Sequence, residues 1–137
     1  MLKAKDVMTA DTISVKENTP ILEAVALMAK HDISGMPVIE DDNTLVGVLS
    51  EKDVIILFYN NAEDEKKTVG DFMTQPPIYF DAEDSLKDVC DFLVKNIFRR
   101  VPITSKNKLV GIISVRDVLE TVLKRKQRGS EGGDTAE

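Results

Sequence analysis

The strongest constraint on this chain is that most of it is written twice. Asp6-Val7-Met8-Thr9 recurs as Asp71-Phe72-Met73-Thr74, a shift of 65 residues. At the same shift Ile13 meets Ile78, Lys30 meets Lys95, and Met36-Pro37-Val38 meets Val101-Pro102-Ile103. The second copy then loses one residue and the shift becomes 64. Asn43 now meets Asn107, Leu45-Val46-Gly47-Val48-Leu49-Ser50 meets Leu109-Val110-Gly111-Ile112-Ile113-Ser114, and Asp53-Val54 meets Asp117-Val118. Self-similarity at a fixed period means one supersecondary unit used repeatedly.

Each copy reads as β-α-β-β-α. Extended pieces rich in strand formers are expected at 12–15 and 77–80. In the first copy Asn18 or Thr19 is expected to cap the following helix, with Pro20 in its opening turn and Ile21, Val25 and Met28 on one face. In the second copy Asp84 or Ser85 caps, and Leu86, Val89 and Leu93 form the stripe. Two short apolar strands follow, joined by polar turns at 40–44 and 105–108, where a turn absorbs the one-residue deletion. A second helix begins at Ser50 or Ser114. The expected organisation is a first repeat over 1–60, a charged linker over 61–67, a second repeat over 68–127 and a disordered tail over 128–137. A unit of about 60 residues is too small to cover both faces of its own sheet, so the two are expected to pack together about a pseudo-twofold axis.

Charge narrows the function classes. The net charge is −6, which argues against a protein devoted to nucleic acid. The excess is uneven. Residues 1–68 hold 7 Lys, no Arg and 13 acids, whereas residues 69–137 are neutral and hold all 5 arginines. One cysteine, Cys90, makes no internal disulfide. The first residues, MLKAKDVMTADT, lack the apolar core of a signal peptide, and no apolar run approaches the length of a membrane span. A cytoplasmic protein is the expectation.

The repeated Ser-x-x-Asp carries the most chemistry. Ser50 with Asp53, and Ser114 with Asp117, stand just after a strand at the opening of a helix. A helix start offers backbone N–H groups and the positive end of a dipole, which suits an anion. A serine hydroxyl adds a hydrogen bond, and an aspartate accepts from both hydroxyls of a ribose. The same spacing is also that of a capping box, in which the serine caps the helix and the acid reaches back to a backbone N–H. Arg99 and Arg100 precede Val101-Pro102, and guanidinium forks suit phosphate. Two solvated surface arginines are the plainer reading. The first copy has Ser34-Gly35 at that place, so the two sites are expected to differ.

The repeated motifs resemble a tandem pair of cystathionine-β-synthase (CBS) domains, the Bateman module, over about residues 1–125. The likeness rests on Val7-Met8-Thr9 and Phe72-Met73-Thr74, on the apolar-Pro-apolar strands, and on Gly47-Val48-Leu49-Ser50-Glu51-Lys52-Asp53-Val54 with its counterpart Gly111-Ile112-Ile113-Ser114-Val115-Arg116-Asp117-Val118. The resemblance implies an α+β fold and a regulatory module that binds AMP, ADP, ATP or S-adenosylmethionine. It favours ligand binding over capping alone at the two serines, with both roles compatible. It implies clefts built across the pseudo-twofold axis. One would combine Ser50 and Asp53 with Ile78, Tyr79, Arg99, Arg100, Val101 and Pro102. The other would combine Ser114 and Asp117 with Thr12, Ile13, Ser34, Gly35, Met36 and Pro37. Arg116, and Lys52 at the matching place, could reach a phosphate, although a solvated helix face is the favoured reading for both. The cleft with Asp53 is the favoured one, because it gathers the arginines.

The remaining candidates read as structural. His31 closes a helix, Cys90 falls opposite Val25 as a small core residue, and Lys124, Arg125, Lys126 and Arg128 complement a helix C-terminus. No nucleophile–base pair, HExxH, P-loop or GxGxxG is present, so no catalytic residue, metal site or classical cofactor is expected. The expected partners are an adenosine-containing small molecule, a second copy of the chain, and a regulated protein reached in trans. The competing function is a dimerisation or protein-interaction module whose clefts are empty.

Overall fold

Aliphatic residues around a proline form the second strand of each copy, and the position of that proline explains the shape of the sheet. The computed structural model describes residues 1–59 and 63–132, with side chains through Arg128. The first copy contributes α1 (Ala4–Val7), β1 (Val15–Lys16), α2 (Ile21–His31), β2 (Gly35–Ile39), β3 (Leu45–Ser50) and α3 (Glu51–Ile55). The second contributes β4 (Phe80–Asp81), α4 (Leu86–Lys95), β5 (Arg100–Ser105), β6 (Lys108–Ser114) and α5 (Val115–Gly132). The sheets run β1-β2-β3 and β4-β5-β6, each with a parallel and an antiparallel pair. Pro37 lies in a middle strand, normally a poor place for a residue without an N–H. It faces Val48, whose own N–H and C=O bond Thr74 instead, and β1 pairs only with Val38 and Ile39. No ladder bond is therefore asked of it. Pro102, opposite Ile112, repeats the arrangement. This is the α+β pair of β-α-β-β-α repeats that the sequence implies.

Three local features differ from expectation. The first strands start later than 12–15 and 77–80, because only Val15 and Phe80 onward reach β2 and β5. Helix α2 has Pro20 at its N-cap and no side-chain cap; the Thr19 hydroxyl accepts from the Lys16 N–H at 3.0 Å and closes the preceding turn. In the second copy Ser85 does cap, accepting from the Lys87 N–H, while Asp84 closes the turn at Asp81. Helix α5 continues to Gly132, into the stretch expected as tail; 133–137 lie outside the described residues. Of the linker, 60–62 also lie outside them, and Asp64–Lys66 form a short 3-10 turn.

The repeats exchange their leading segments. Residues at the N-terminus dock on the second repeat: the Ala4 N–H donates to the Asp84 carbonyl, Lys5 to Ala82, and Leu86 to the Leu2 carbonyl. In the first repeat the Thr19 and Glu17 carbonyls accept from the Val69 and Gly70 N–H groups, and the Ile21 N–H donates to the Lys67 carbonyl. The cores follow suit. Val69 is fully buried among Val15, Ile21, Met28 and Leu49, with Phe72 and Met73 against them. Ala4 is buried among Val89, Val101, Ile103 and Ile113, with Leu2, Val7 and Met8 against them.

Thr9 and Thr74 each exchange two backbone hydrogen bonds with a strand of the other repeat, Thr9 with Ile112 and Thr74 with Val48. The adjacent glycines allow this approach. A Cβ on Gly47 would lie 2.8 Å from the Met73 sulfur and 3.0 Å from the Thr74 carbonyl oxygen. The hairpins also meet at their tips. Asn43 and Asn107 both adopt positive φ, a conformation asparagine tolerates, and their carbonyls accept from the Leu109 and Leu45 N–H groups. The repeats are thus joined along the edges of β3 and β6 and at both turns.

Candidate functional site

Gly35 pairs with Ser50, and Arg100 pairs with Ser114. Each pre-proline segment therefore lies beside the serine of its own repeat. A large cleft of about 380 Å³ opens between the repeats, within the usual range for small-molecule sites. One wall carries Ser50, Lys52 and Asp53; the other carries Ile78, Arg99, Arg100, Val101 and Pro102. Ser34, Gly35, Met36 and Pro37 also line this cleft, not the smaller one to which the sequence reading assigned them. Gly35 pairs with Ser50 across β2 and β3, which keeps this segment beside the Ser50 wall. A smaller cavity of about 170 Å³ is lined by Thr12, Ile13, Ser114 and Asp117, with Thr9, Asp11 and Ile33. Arg100 lines both.

Two expected residues line neither cavity. Tyr79 is half exposed next to Ile78; neighbouring residues of extended chain face opposite sides. Arg116 is exposed, and its Nε donates to the Glu120 carboxylate at 3.3 Å along the helix. Thr74, Pro76, Pro77, Phe92, Ile97 and Phe98 line the large cleft without having been singled out. Thr74 was visible as the last residue of a repeated motif. Phe98 stacks on Phe92, with centroids 5.7 Å apart at 10°, and both rings line the cleft.

Both capping boxes form. The Asp53 carboxylate accepts from the Ser50 N–H at 2.8 Å and from the Ser50 hydroxyl at 3.0 Å, and the Ser50 oxygen accepts from the Asp53 N–H at 3.4 Å. Asp117 and Ser114 repeat this at 2.9, 3.1 and 3.1 Å. Each carboxylate accepts one further bond from the other repeat: Thr74 donates to Asp53 at 3.1 Å, and Thr9 donates to Asp117 at 3.0 Å. The helix starts are less open than the sequence suggests, since the Glu51 and Val115 N–H groups donate to the Ser34 and Arg99 carbonyls. Fewer backbone donors remain for an anion, and the two side-chain arginines gain importance. No carboxylate pairs with Arg99 or Arg100 within 4.0 Å among the described residues. The Arg100 Nε is buried without a hydrogen-bond partner. Burial, and then the charge of Arg99, disfavour its protonated form, while Asp117 and Glu51 favour it.

Two of the residues expected to be structural are so placed, whereas Lys124, Arg125, Lys126 and Arg128 do not close a helix, because α5 continues past them to Gly132 and has no basic residue in its last turn. His31 is exposed at the end of α2. Cys90 packs against the second core, and burial pushes its thiol pKa up.

Residues 4–60 and 69–124 each match the CBS domain family. The chain belongs to that family. It is 34% identical over 116 residues to the protein MJ1225 of Methanocaldococcus jannaschii, covering 85% of this chain and 41% of that protein. It is 30% identical to hypoxic response protein 1 of Mycobacterium tuberculosis, covering 86% of this chain and 83% of the relative. The structure of CBSX2 in complex with AMP aligns with a TM-score of 0.83 at 32% identity, over 92% of this chain and 99% of that one; CBSX2 is from Arabidopsis thaliana. The match to an inosine-5′-monophosphate dehydrogenase spans only 23% of that enzyme, so the likeness is to its CBS part. Hypoxic response protein I has been solved with two coordinated zinc ions. Among the described residues of this CBS pair, no group of three His, Cys, Asp or Glu side chains is placed to hold a metal. None of its described helices is long and apolar enough to cross a membrane.

Proposed function

We propose that this CBS pair is a regulatory sensor that holds an adenosine nucleotide, AMP foremost, in the large cleft. The carrying observation is the meeting of Ser50 and Asp53 with Arg99 and Arg100 across one cavity of about 380 Å³. Asp53 and Ser50 would take the ribose hydroxyls, and the two guanidinium groups the phosphate. Ile78, Phe98, Val101 and Pro102 would enclose the base, with Ser34, Gly35, Met36 and Pro37 bordering it. The AMP complex of CBSX2, at 32% identity, supports AMP as a candidate. Thr12, Ile13, Ser114 and Asp117 form the lesser site. Tyr79 and Arg116 stand outside both. The ligand would act by binding one arrangement of the repeats better than another.

A thermal-shift titration tests this. AMP at a hundred times its Kd adds about 2.7 kcal/mol to stability, and Asp53→Ala removes most of that gain. No stabilisation by AMP, ADP, ATP or S-adenosylmethionine at millimolar concentration would rule the reading out.

Output through a second copy of the chain is the complementary proposal, carried by two equivalent apolar faces. Ile55, Phe58 and Tyr59 near α3 match Leu119, Val122 and Leu123 on α5, and all are exposed, Phe58 at 85% and Leu123 at 61%. Uncovered apolar side chains in such numbers mark an interface. A regulated partner would then read the dimer in trans.

A further inference from the structure

Arg100 belongs to two cavities at once. It opens β5 opposite Ser114, the serine of the small cavity, and it also lines the large cleft beside Val101. The two carboxylates whose fields favour its charge come one from each side: Asp117 lines the small cavity and Glu51 the large one. Its Nε is buried with no partner, so the guanidinium has an unmet donor between the two spaces. The other copy offers no substitute, because Gly35 stands at the matching position and Ser34 matches Arg99. The small cavity holds Asp11 and Asp117 but no cation besides Arg100. The large cleft has Arg99 and Lys52 in addition, and carries Pro76 where the small cavity carries Asp11.

We propose that Arg100 is shared between the clefts and limits the chain to one phosphorylated nucleotide at a time. The inference rests on the nucleotide reading of the large cleft and specifies its regulation. A phosphate in the large cleft draws the guanidinium toward it. Asp117 and Asp11 then face the small cavity with no positive charge beside them, and a second phosphate is repelled. Because coupling between sites is reciprocal, a phosphate held in the small cavity would weaken the large cleft by the same factor. The donor that serves one ligand is withdrawn from the other.

Equilibrium dialysis with labelled AMP, alongside calorimetry with AMP and adenosine, tests the sharing. The wild-type chain should bind one AMP at saturation. Arg100→Ala should weaken AMP by roughly tenfold or more, the worth of a charge-assisted hydrogen bond, and leave adenosine within about twofold. The decisive variant is Asp11→Arg, which removes an acid from the small cavity and supplies a cation of its own. It should raise the stoichiometry to two AMP per chain. Two AMP of similar affinity in the wild type would overturn the sharing and leave the nucleotide reading intact. One AMP in both wild type and Asp11→Arg would mean that cavity size sets the limit, and would overturn it equally. Absence of AMP and adenosine binding in every variant would overturn both proposals together.

Discussion

Replacing Gly111 with alanine should damage the junction between the repeats more than any strand glycine normally would. A Cβ there would lie 2.7 Å from the Met8 sulfur, 2.9 Å from Met8 Cγ and 2.9 Å from the Thr9 carbonyl oxygen. The methionine has free torsions and moves aside at small cost. The carbonyl cannot, because Thr9 gives and receives backbone bonds with Ile112 at 2.8 and 2.9 Å. Accommodating the methyl breaks or stretches both, at about 0.5–1.5 kcal/mol each, and loosens the packing of Met8, worth about 1 kcal/mol. A stiffer unfolded chain returns up to about 1 kcal/mol. The net expectation is a loss of about 1–3 kcal/mol, read by urea denaturation followed by circular dichroism. Gly70→Ala is the control: its nearest neighbour is the Glu17 carbonyl oxygen at 3.3 Å, and the loss should be clearly smaller. Adding Met8→Ala should relieve only the sulfur and Cγ part of the clash. A Gly111→Ala change within about 0.5 kcal/mol of wild type, the range of an ordinary surface substitution, would refute the crowding argument.

Other predictions follow from the contacts between repeats. The Glu83 carboxyl is held at about 2, against an ordinary 4.5, by its hydrogen bonds to Lys3 and then Lys5. Asp42 is likewise well below the usual range, chiefly through Lys108. Carboxylates lowered on folding add stability above their unfolded pKa and lose it as pH falls through the folded value. Stability should therefore decline as pH drops from about 4.5 toward 2; in Glu83→Gln that decline should be shallower, as urea midpoints across the range would show. Thr74→Val removes one donor from Asp53 and should cost about 1 kcal/mol of stability. Phe58→Asp combined with Leu123→Asp should shift a dimer to a monomer in sedimentation velocity while leaving the circular dichroism spectrum unchanged; an unaltered sedimentation coefficient in a dimeric protein would remove these faces from the interface.

The repeat made the fold legible because each strand and helix was supported twice. The two asparagines at the hairpin tips, the glycines in the third strands and the Met-Thr pairs were all visible as matched residues. Their common purpose was not, since a match along the chain says nothing about which copy a segment packs against. The cleft was legible in type and less so in membership. Ser50, Asp53, Ile78 and the arginine pair come together, but Ser34, Gly35, Met36 and Pro37 join them in the same cleft, which a match between the copies does not reveal. The capping reading of Ser-x-x-Asp holds in both copies, and the same side chains line cavities. The helix starts looked open in sequence because the bonds from Glu51 and Val115 go to carbonyls 17 and 16 residues earlier in the chain, beyond any local pattern.

The crossing of the leading segments has an evolutionary side. Each physical half is assembled from both genetic copies, with the Thr68–Thr74 stretch completing the first core and the Met1–Thr9 stretch completing the second. Deletion of either copy would therefore strip an element from the half that remains, while a substitution at Met8 is constrained by Gly111 of the other copy. A duplication arranged in this way resists being undone. The descendants can diverge in their clefts, as the arginines of one copy and the serine and glycine of the other show, while the seams that hold the copies together stay matched.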